Sequence, residues 1–268
     1  MIDGALPYLR CPVCEDTLER GDERTLRCPR GHSFDIAKQG YVNLTRGRTR
    51  FAGDSPAMVE ARAEFLAAGH YAFIVDALSQ AVPPAEGLVL DAGTGTGWYL
   101  AGVLDALPHA AGLGVDVSKP ALRRAARAHP RAAAVLADLW QPLPVAGAAV
   151  ILNVFAPRNG PDFHRVLRPD GVLLVVTPAA GHLRELIESY HLIRVDPDKA
   201  DRVADSLGAH FVAERTTTHR TKLRLSGAGL RTLIGMTPSA RHVDVTALPA
   251  TSEVEVTAAV DLTVYRPR

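Results

Sequence analysis

The chain has 268 residues, of which 47% are hydrophobic and 22% are charged, and its formal net charge is +1. This composition excludes a disordered or collagen-like chain, and the length allows one large domain or two unequal ones. No apolar run approaches the roughly 20 residues that cross a bilayer, and the opening MIDGALPYLRCPVC has an early acid and no apolar signal core. We therefore expect a cytoplasmic protein without a membrane segment. The net charge argues only against a chain that is basic along its whole length.

The three cysteines all lie within the first 28 residues, at Cys11, Cys14 and Cys28, and His32 follows in the segment C-P-R-G-H. Three thiols cannot pair off as disulfides, whereas this spacing suits a tetrahedral Zn²⁺ with three thiolates and one imidazole. The sequence therefore predicts a closed, structural zinc site with a short strand over 25–28. The alternative is three unrelated buried cysteines. Because so short a segment cannot bury a core, we expect the metal to supply most of its folding free energy.

A basic loop and two helices connect this segment to the rest of the chain. Residues 45–50 read T-R-G-R-T-R, with three arginines and no acid. Ser55 or Asp54 can cap a helix over 56–68, and a second helix over 71–81 ends before two prolines. The predicted division is therefore a module over 1–45, a linker over 46–85 and a domain over 86–268.

From residue 87 onward, short apolar runs alternate with helical segments, which predicts βαβ units and a doubly wound parallel sheet. The predicted strands cover 88–91, 111–116, 133–136, 147–153 and 171–177. The predicted helices cover 97–107, 119–128, 161–167 and 181–190. Beyond residue 200 we expect a helix, a strand over 211–224, a helix over 226–235 and a strand over 254–265, with the two strands forming an edge hairpin.

The first of these strands runs into a glycine-rich turn, L-V-L-D-A-G-T-G-T-G-W, where a nucleotide-like ligand rests on backbone N–H groups. The dinucleotide pattern G-x-G-x-x-G fails because Trp98 holds its last glycine position. Asp91 suits a positive amine better than a pyrophosphate. Asp116, after the second strand, can accept hydrogen bonds from both ribose hydroxyls, and Asp138, after the third, can receive the exocyclic amine of an adenine.

These residues favour S-adenosylmethionine as the ligand, held by Gly93, Gly95, Gly97, Asp91, Asp116 and Asp138. NAD is the alternative ligand because it also contains an adenosine ribose, and helix capping is the structural alternative for the second and third acids. The segment N-V-F-A-P follows the fourth strand, where a methyltransferase presents its acceptor. Phe155 could stack on the acceptor base and Asn153 could hydrogen-bond its edge, although an aromatic residue more often packs in a core.

Three acid-free segments, over 38–50, 123–131 and 215–231, carry clustered basic residues. Basic side chains bind RNA through its phosphates, and the alternative for each segment is an ordinary solvated face. We favour RNA contact for the first segment, through Lys38, Arg46, Arg48 and Arg50.

The stretches C-P-V-C…C-P-R-G-H-S-F-D-I-A-K-Q-G-Y-V-N-L, D-S-P-A-M-V-E-A-R-A-E-F-L-A-A-G-H-Y and V-L-D-A-G-T-G-T-G resemble the RlmA-type guanine-N1 methyltransferases of large-subunit ribosomal RNA. The likeness favours their Gram-positive branch, and L-N-V-F-A-P-R-N and G-M-T-P-S-A-R-H extend it almost to the C-terminus. It implies a Rossmann-like class I methyltransferase core behind a zinc-binding RNA-recognition module. It also implies that the Cys3His set binds zinc and that Tyr71, Gly95, Thr96, Gly97, Trp98 and His182 contact the cofactor.

The resemblance further implies methyl transfer from S-adenosylmethionine to N1 of a guanine in a domain II hairpin of 23S ribosomal RNA. Such a product would give resistance to macrolides of the tylosin or mycinamicin type. One alternative is a small-molecule methyltransferase of antibiotic biosynthesis, which leaves the zinc module and the basic loop unexplained. Another is a non-catalytic zinc-containing RNA-binding protein, against which the intact glycine loop argues. The chain could also act as a homodimer. No side chain is marked as the base for the N1 proton, and Asp138, Asn153, His182 and water are the candidates by position.

Overall fold

The computed structural model describes residues 2–47, 53–190, 206–244 and 253–268, and it shows an α/β protein with one small and one large sheet. The small antiparallel sheet consists of β1 (Glu19–Asp22), β2 (Thr25–Arg27) and β3 (Ser33–Asp35). The large sheet consists of β4 (Tyr41–Asn43), β5 (Gly87–Ala92), β6 (Ala110–Asp116), β7 (Ala132–Leu136), β8 (Ala148–Val154), β9 (Leu167–Pro178), β10 (Phe211–Leu225) and β11 (Val254–Pro267). Its spatial order is β10-β11-β9-β8-β5-β6-β7-β4.

Helices cover both faces of the large sheet, and each face buries its own hydrophobic cluster. They are α1 (Ile2–Ala5), α2 (Pro56–Ala67), α3 (Ala72–Ala81), α4 (Trp98–Ala106), α5 (Lys119–Ala125), α6 (Gly160–Val166), α7 (Arg184–Tyr190) and α8 (Gly227–Gly235). Helix α2 begins as predicted, with Ser55 Oγ accepting a hydrogen bond from Met58 N and Pro56 in its first turn. Helix α2 packs against α8, and α3 packs against α4 and the β10–β11 hairpin.

Strands β5 to β9 run parallel and are largely buried, as their uninterrupted apolar runs predict. Strand β5 is central, with β6 on one side and β8 on the other. The winding of the chain therefore reverses between β5 and β8. In an open α/β sheet such a reversal leaves a crevice outside the carboxyl ends of the strands, and this crevice positions the candidate site.

The N-terminal segment shares its core with the large sheet. Leu9 bridges to Val145, and buried Cys11 and Cys28 lie in the same hydrophobic cluster as Leu90 of β5. Strand β4 pairs in parallel with β7 at the edge of the large sheet. The predicted boundary at residue 45 therefore falls just after a strand of the large sheet.

The predicted doubly wound sheet with an antiparallel C-terminal hairpin is confirmed. Strand β9 begins at Leu167, ahead of its predicted start, and α7 begins at Arg184 rather than at 181 because Leu183 has a φ of 53°. Helix α5 ends at Ala125 instead of 128. Strands β1, β3 and β4 were not predicted, since three or four residues show no clear periodicity. Most of the helix expected before residue 211 lies outside the described residues, and within those residues no helix is long and apolar enough to span a membrane.

Candidate active site and zinc site

The four predicted zinc ligands converge on one point. Cys28 Sγ lies 3.2 Å from His32 Nδ1, Cys11 Sγ lies 3.6 Å from the same nitrogen, and Cys14 Sγ lies 3.6 Å from Cys28 Sγ. All four ligand atoms lie within 4.8 Å of one another. Tetrahedral Zn²⁺ with bonds of about 2.3 Å to sulfur and about 2.0 Å to nitrogen requires ligand separations of about 3.5–3.8 Å. The donor set and its spacing therefore fit zinc.

Two tight turns bring the ligands together. In the first, Glu15 N donates to Cys11 O at 2.9 Å, and Glu15 has a φ of 64°. In the second, Gly31 N donates to Cys28 O at 2.9 Å, and the φ of 85° at Gly31 is one that glycine adopts without strain. Four protein ligands leave no open coordination position, so the site is structural.

The glycine loop joins β5 to α4 with three left-handed residues in close succession. The φ angles are 88° at Gly93, 54° at Gly95 and 80° at Gly97. A Cβ on Gly93 would overlap the Cβ of Ala156, so the loop that follows β8 rests directly on the glycine loop. Glycine 97 is the N-cap of α4 and supplies no capping side chain, which leaves the first N–H groups of the helix for a ligand. Next to it, Trp98 Nε1 is buried without a hydrogen-bond partner in the described part of the chain.

The three predicted acids lie at the carboxyl ends of neighbouring strands, Asp91 and Asp116 in the last residues of β5 and β6 and Asp138 just after β7. Asp116 accepts hydrogen bonds from Gly95 N at 2.9 Å and from Ser118 N at 2.8 Å, which ties the glycine loop to β6. Burial raises the pKa of Asp116. Asp138 Oδ1 accepts from a backbone N–H two residues later at 3.0 Å, and its carboxyl group is buried.

Asp91 is the most deeply buried acid of the site. Its Oδ2 accepts a hydrogen bond from Thr94 Oγ1 at 2.7 Å, and its residue exposure is 1%. The pKa of Asp91 is raised to about 7, because burial and the nearby charge of Asp116 raise it by more than the hydrogen bond from the Thr94 hydroxyl lowers it. Such a carboxyl group is readily stabilised in its ionised form by a cationic partner.

Arg62 also contacts the glycine loop, and sequence reasoning missed it. Its Nη1 pairs with Asp54 Oδ2 at 2.5 Å and lies 3.2 Å from where a Cβ on Gly95 would stand. Its Nη2 donates to Met236 O at 3.0 Å. Arg62 of helix α2 therefore lies between the glycine loop and the residue that ends α8. The stretch M-V-E-A-R-A gives no local signal of this role, because all three partners are distant in sequence or outside the helix.

Three aromatic rings meet where β8 ends. The ring centroids of Tyr71 and Phe155 lie 6.3 Å apart, those of Phe155 and His182 lie 6.0 Å apart, and those of Tyr71 and His182 lie 6.3 Å apart. Tyr71 and His182 are buried, whereas Phe155 is 38% exposed. The φ of Phe155 is 53°, a conformation that costs a bulky residue about 1–2 kcal/mol. The fold thus holds one aromatic face toward solvent at a strained backbone position.

The proton of the His182 ring can be placed from its partners. Ala259 N donates to His182 Nδ1 at 3.1 Å, so the neutral ring carries its hydrogen on Nε2, which lies 3.5 Å from Tyr71 Oη. Burial raises the pKa of the Tyr71 hydroxyl, which keeps it protonated. In this arrangement His182 Nε2 is a hydrogen-bond donor.

Asn153 holds the loop after β8 in place. Both hydrogens of Nδ2 are donated, to Ala92 O at 3.1 Å and to Pro157 O at 2.9 Å. Its Oδ1 is buried without a hydrogen-bond partner in the described part of the chain. Contact between Asn153 and an acceptor base stays a prediction, and Oδ1 is the atom left to make it.

The predicted RNA-binding residues are only partly described. Lys38 is exposed, and Arg46 forms an ion pair with Glu15 at 2.7 Å. Arg48 and Arg50 lie outside the described residues.

Comparison with known proteins extends these observations. Residues 9–45 match a zinc-ribbon family model described as RlmA, N-terminal. The chain is 56% identical to a Micromonospora griseorubida protein whose name assigns it as a 23S rRNA (guanine-N(1)-)-methyltransferase, over 98% of both chains. It is 48% identical to the 23S rRNA (guanine(748)-N(1))-methyltransferase of Streptomyces fradiae, over 97% of each chain. A solved S-adenosylmethionine-dependent methyltransferase from Anabaena variabilis matches with a TM-score of 0.51 at 14% identity, covering 83% of this chain and 100% of that one.

The sheet order and the glycine loop at the switch point give the chain the class I methyltransferase fold, and residues 9–45 with their Cys3His cluster add an N-terminal zinc ribbon. Identity of 48% and 56% over almost the whole length shows that the chain belongs to the family of 23S rRNA (guanine-N1)-methyltransferases. Its cofactors are accordingly S-adenosylmethionine and a structural zinc ion.

Proposed function

We propose that this protein transfers the methyl group of S-adenosylmethionine to N1 of a guanine in a domain II hairpin loop of 23S ribosomal RNA. The observation that carries the proposal is the solvent-facing ring of Phe155, held at a strained φ on a loop that touches Gly93. An acceptor base stacked on this ring lies beside the cofactor loop. Bases of a hairpin loop are accessible for such stacking because they are not locked in a duplex.

Three acids would hold the cofactor. We propose that Asp116 accepts from the ribose hydroxyls through its remaining lone pairs and that Asp138 receives the adenine amine on its second oxygen. Asp91 would then pair with the ammonium group of the methionine part. When bound, S-adenosylmethionine supplies a methyl group on a sulfonium, and the residues of this chain contribute mainly orientation of the two reactants.

The remaining side chains would orient the guanine. Phe155 stacks on the ring, and Asn153 Oδ1, which has no hydrogen-bond partner in the described part of the chain, would accept a hydrogen bond from its donor edge. His182 Nε2 carries a hydrogen, so this atom donates to the base or to Tyr71 and does not take the N1 proton. We propose that this proton leaves to water.

The zinc module over 1–45 would recognise the RNA together with the basic loop, and helices α2 and α3 of the segment 46–85 pack on the catalytic domain over 86–268. The named position in the Streptomyces fradiae relative, guanine 748, is the one we propose to test first. Methylation there would weaken the binding of macrolides of the tylosin or mycinamicin type to the ribosome. Dimerisation and a cytoplasmic location stay predictions.

Primer extension tests the proposal. Unmodified 23S ribosomal RNA is incubated with the protein and S-adenosylmethionine, and reverse transcriptase should stop beside the methylated guanine, since N1 methylation blocks base pairing. Omission of the cofactor and replacement of the guanine by uridine are the controls. A stop that fails to appear with fully unmodified RNA would refute the function.

Two further measurements separate the competing functions. A small-molecule methyltransferase would transfer label from S-adenosylmethionine to a metabolite and leave the RNA unlabelled. A non-catalytic RNA-binding protein would bind the hairpin but give no calorimetric signal with S-adenosylmethionine. The resistance role is measured separately, as the inhibitory concentration of tylosin in a susceptible host with and without the protein.

A further inference from the structure

One large aromatic side chain has no place in the core or in the site described above. Four large hydrophobic side chains are exposed among the described residues: Val13 at 64%, Trp140 at 53%, Phe155 at 38% and Val212 at 46%. Trp140 is the largest of them. More than half of its surface faces solvent, which is a substantial apolar area for a residue that could have been buried.

The loop that carries Trp140 is firmly held. Trp140 N donates to Asp138 Oδ1 at 3.0 Å, and Asn159 Nδ2 donates to Leu139 O at 3.0 Å. Leu143 N donates to the buried Asp162 Oδ2 at 2.8 Å. The side chain of Leu139 points into the core while its neighbour points out. Trp140 is therefore presented on a fixed backbone, as a preorganised contact would be.

The position of this loop links the two predicted RNA-contacting regions. On one side, a Cβ on Gly93 would overlap Ala156 and lie 3.7 Å from Leu139 Cδ1, so the residues next to Phe155 and next to Trp140 meet over the same glycine. On the other side, strand β4 pairs with β7, and Leu44 N donates to Leu136 O at 3.0 Å. The chain that leads to Arg46 and the chain that leads to Trp140 thus leave the sheet side by side.

We propose that Trp140 stacks on an unpaired base of the RNA hairpin next to the guanine that Phe155 receives. This inference rests on the proposed function. Exposed aromatic rings beside basic side chains are the usual means by which proteins hold single-stranded nucleic acid, because every base offers a flat face. Two aromatic faces on one rim, with the strand that leads to Arg46 next to the strand that leads to Trp140, match a loop whose bases are splayed in succession. If the ring instead covered the cofactor adenine near Asp138, its removal would weaken cofactor binding.

The test compares Trp140→Ala and Trp140→Phe with the wild type, and Val212→Ala is the matched control. Val212 is another exposed apolar residue, but it lies at the start of the edge strand β10. This is the end of the sheet away from the glycine loop, which follows the carboxyl end of β5. The probe is a synthetic hairpin with the domain II loop, carrying 2-aminopurine next to the target guanine. Its affinity is measured by fluorescence anisotropy with S-adenosylhomocysteine present, and cofactor affinity is measured by calorimetry without RNA.

Loss of one base–aromatic stack weakens binding roughly 5- to 150-fold, so we expect Trp140→Ala to raise the hairpin Kd within that range. Trp140→Phe should keep most of the affinity, Val212→Ala should match the wild type, and cofactor Kd should stay unchanged in all three. The 2-aminopurine signal should be quenched by wild type and not by Trp140→Ala.

Equal hairpin affinity of Trp140→Ala and wild type would overturn the inference while leaving the methylation intact. A parallel loss of cofactor affinity would also overturn it, because the ring would then cover the adenine. Failure of the wild type to bind or methylate the hairpin would refute the proposed function, and this inference with it.

Discussion

Cofactor binding should strengthen as the pH rises through neutrality, because Asp91, the proposed partner of the cofactor's ammonium group, is protonated in the free protein at low pH. Asp91 is 1% exposed, and burial raises its pKa to about 7. A neutral carboxyl group offers an ammonium little attraction, whereas an ionised one offers a charge-assisted hydrogen bond. Binding therefore requires loss of the Asp91 proton, and the bound ammonium then lowers the pKa of Asp91.

The size of the effect follows from this one ionisation. With a pKa of about 7, roughly one tenth of the Asp91 carboxyls are ionised at pH 6 and roughly three quarters at pH 7.5. From the ionisation of Asp91 alone, the apparent Kd should fall about eightfold over that interval, and at pH 6 binding should release close to one proton. The interval stops at 7.5 because an α-amino group with a pKa of about 7.7–8.0 is half deprotonated just above that pH; its partial deprotonation at pH 7.5 reduces the expected fall in Kd to about fivefold to sixfold.

Isothermal titration with S-adenosylhomocysteine in two buffers of different ionisation enthalpy measures both the Kd and the proton release. Methylthioadenosine is the matched ligand, since it keeps the adenosine and lacks the amino-acid part, and its affinity should not change with pH. Asp91→Asn should bind S-adenosylhomocysteine weakly and without the pH dependence. If both ligands showed the same pH slope, or if no proton were released, the ammonium would not be paired with Asp91.

Three further predictions follow from named contacts. Cys28→Ser should release zinc and lower the melting temperature by more than about 5 °C, because Cys28 lies in the cluster that the module shares with the sheet; zinc loss with an unchanged melting temperature would contradict this. Gly93→Ala should reduce methyl transfer at least about tenfold through clash with Ala156 at a φ of 88°. Gly147 also has a positive φ, of 77°, but an added Cβ would lie 3.9 Å from its nearest neighbour, so Gly147→Ala should lower stability without lowering methyl transfer. Equal methyl transfer by the Gly93 and Gly147 variants would refute the reasoning. Glu185 accepts hydrogen bonds from Thr257 Oγ1 at 2.6 Å and Thr257 N at 3.1 Å, which outweigh burial and lower its pKa to about 2. Glu185→Ala should therefore lower the unfolding free energy by about 1–3 kcal/mol near pH 7, and urea titrations should show this difference shrinking as the pH falls from about 4.5 toward 2.

The parts of the molecule that could be predicted are those with local signals. The buried parallel strands appear as apolar runs, and the glycine loop appears as alternating glycines directly after one of them. The zinc ligands were predictable because each turn contributes two of them at short spacing, Cys11 with Cys14 and Cys28 with His32. In each case the residues that act together are also neighbours along the chain.

The tertiary contacts that join these parts and shape the site have no local signal in the sequence. Strand β4 has three residues and is recognisable only by its partner β7. Arg62 lies in the middle of helix α2, donates to Met236 O and lies next to Gly95. The role of the Asn153 amide, which fastens the loop after β8 to Ala92 and Pro157, depends on the close approach of two strand ends. Such roles are set by tertiary packing and not by the residue type alone.

The zinc module and the acceptor loop are joined more closely than a linker would allow. The module packs on the sheet through Leu9 and Cys11, and strand β4 extends the sheet next to β7. Since β7 leads directly into the loop of Trp140, an RNA held by the module is held at a fixed distance from Phe155. If the proposed function holds, a rigid spacing of this kind would select one loop base for methylation without contacts that read the base sequence, because only a hairpin of matching length would place a guanine on the ring. Specificity would then reside in the shape of the hairpin as much as in the edge of the guanine.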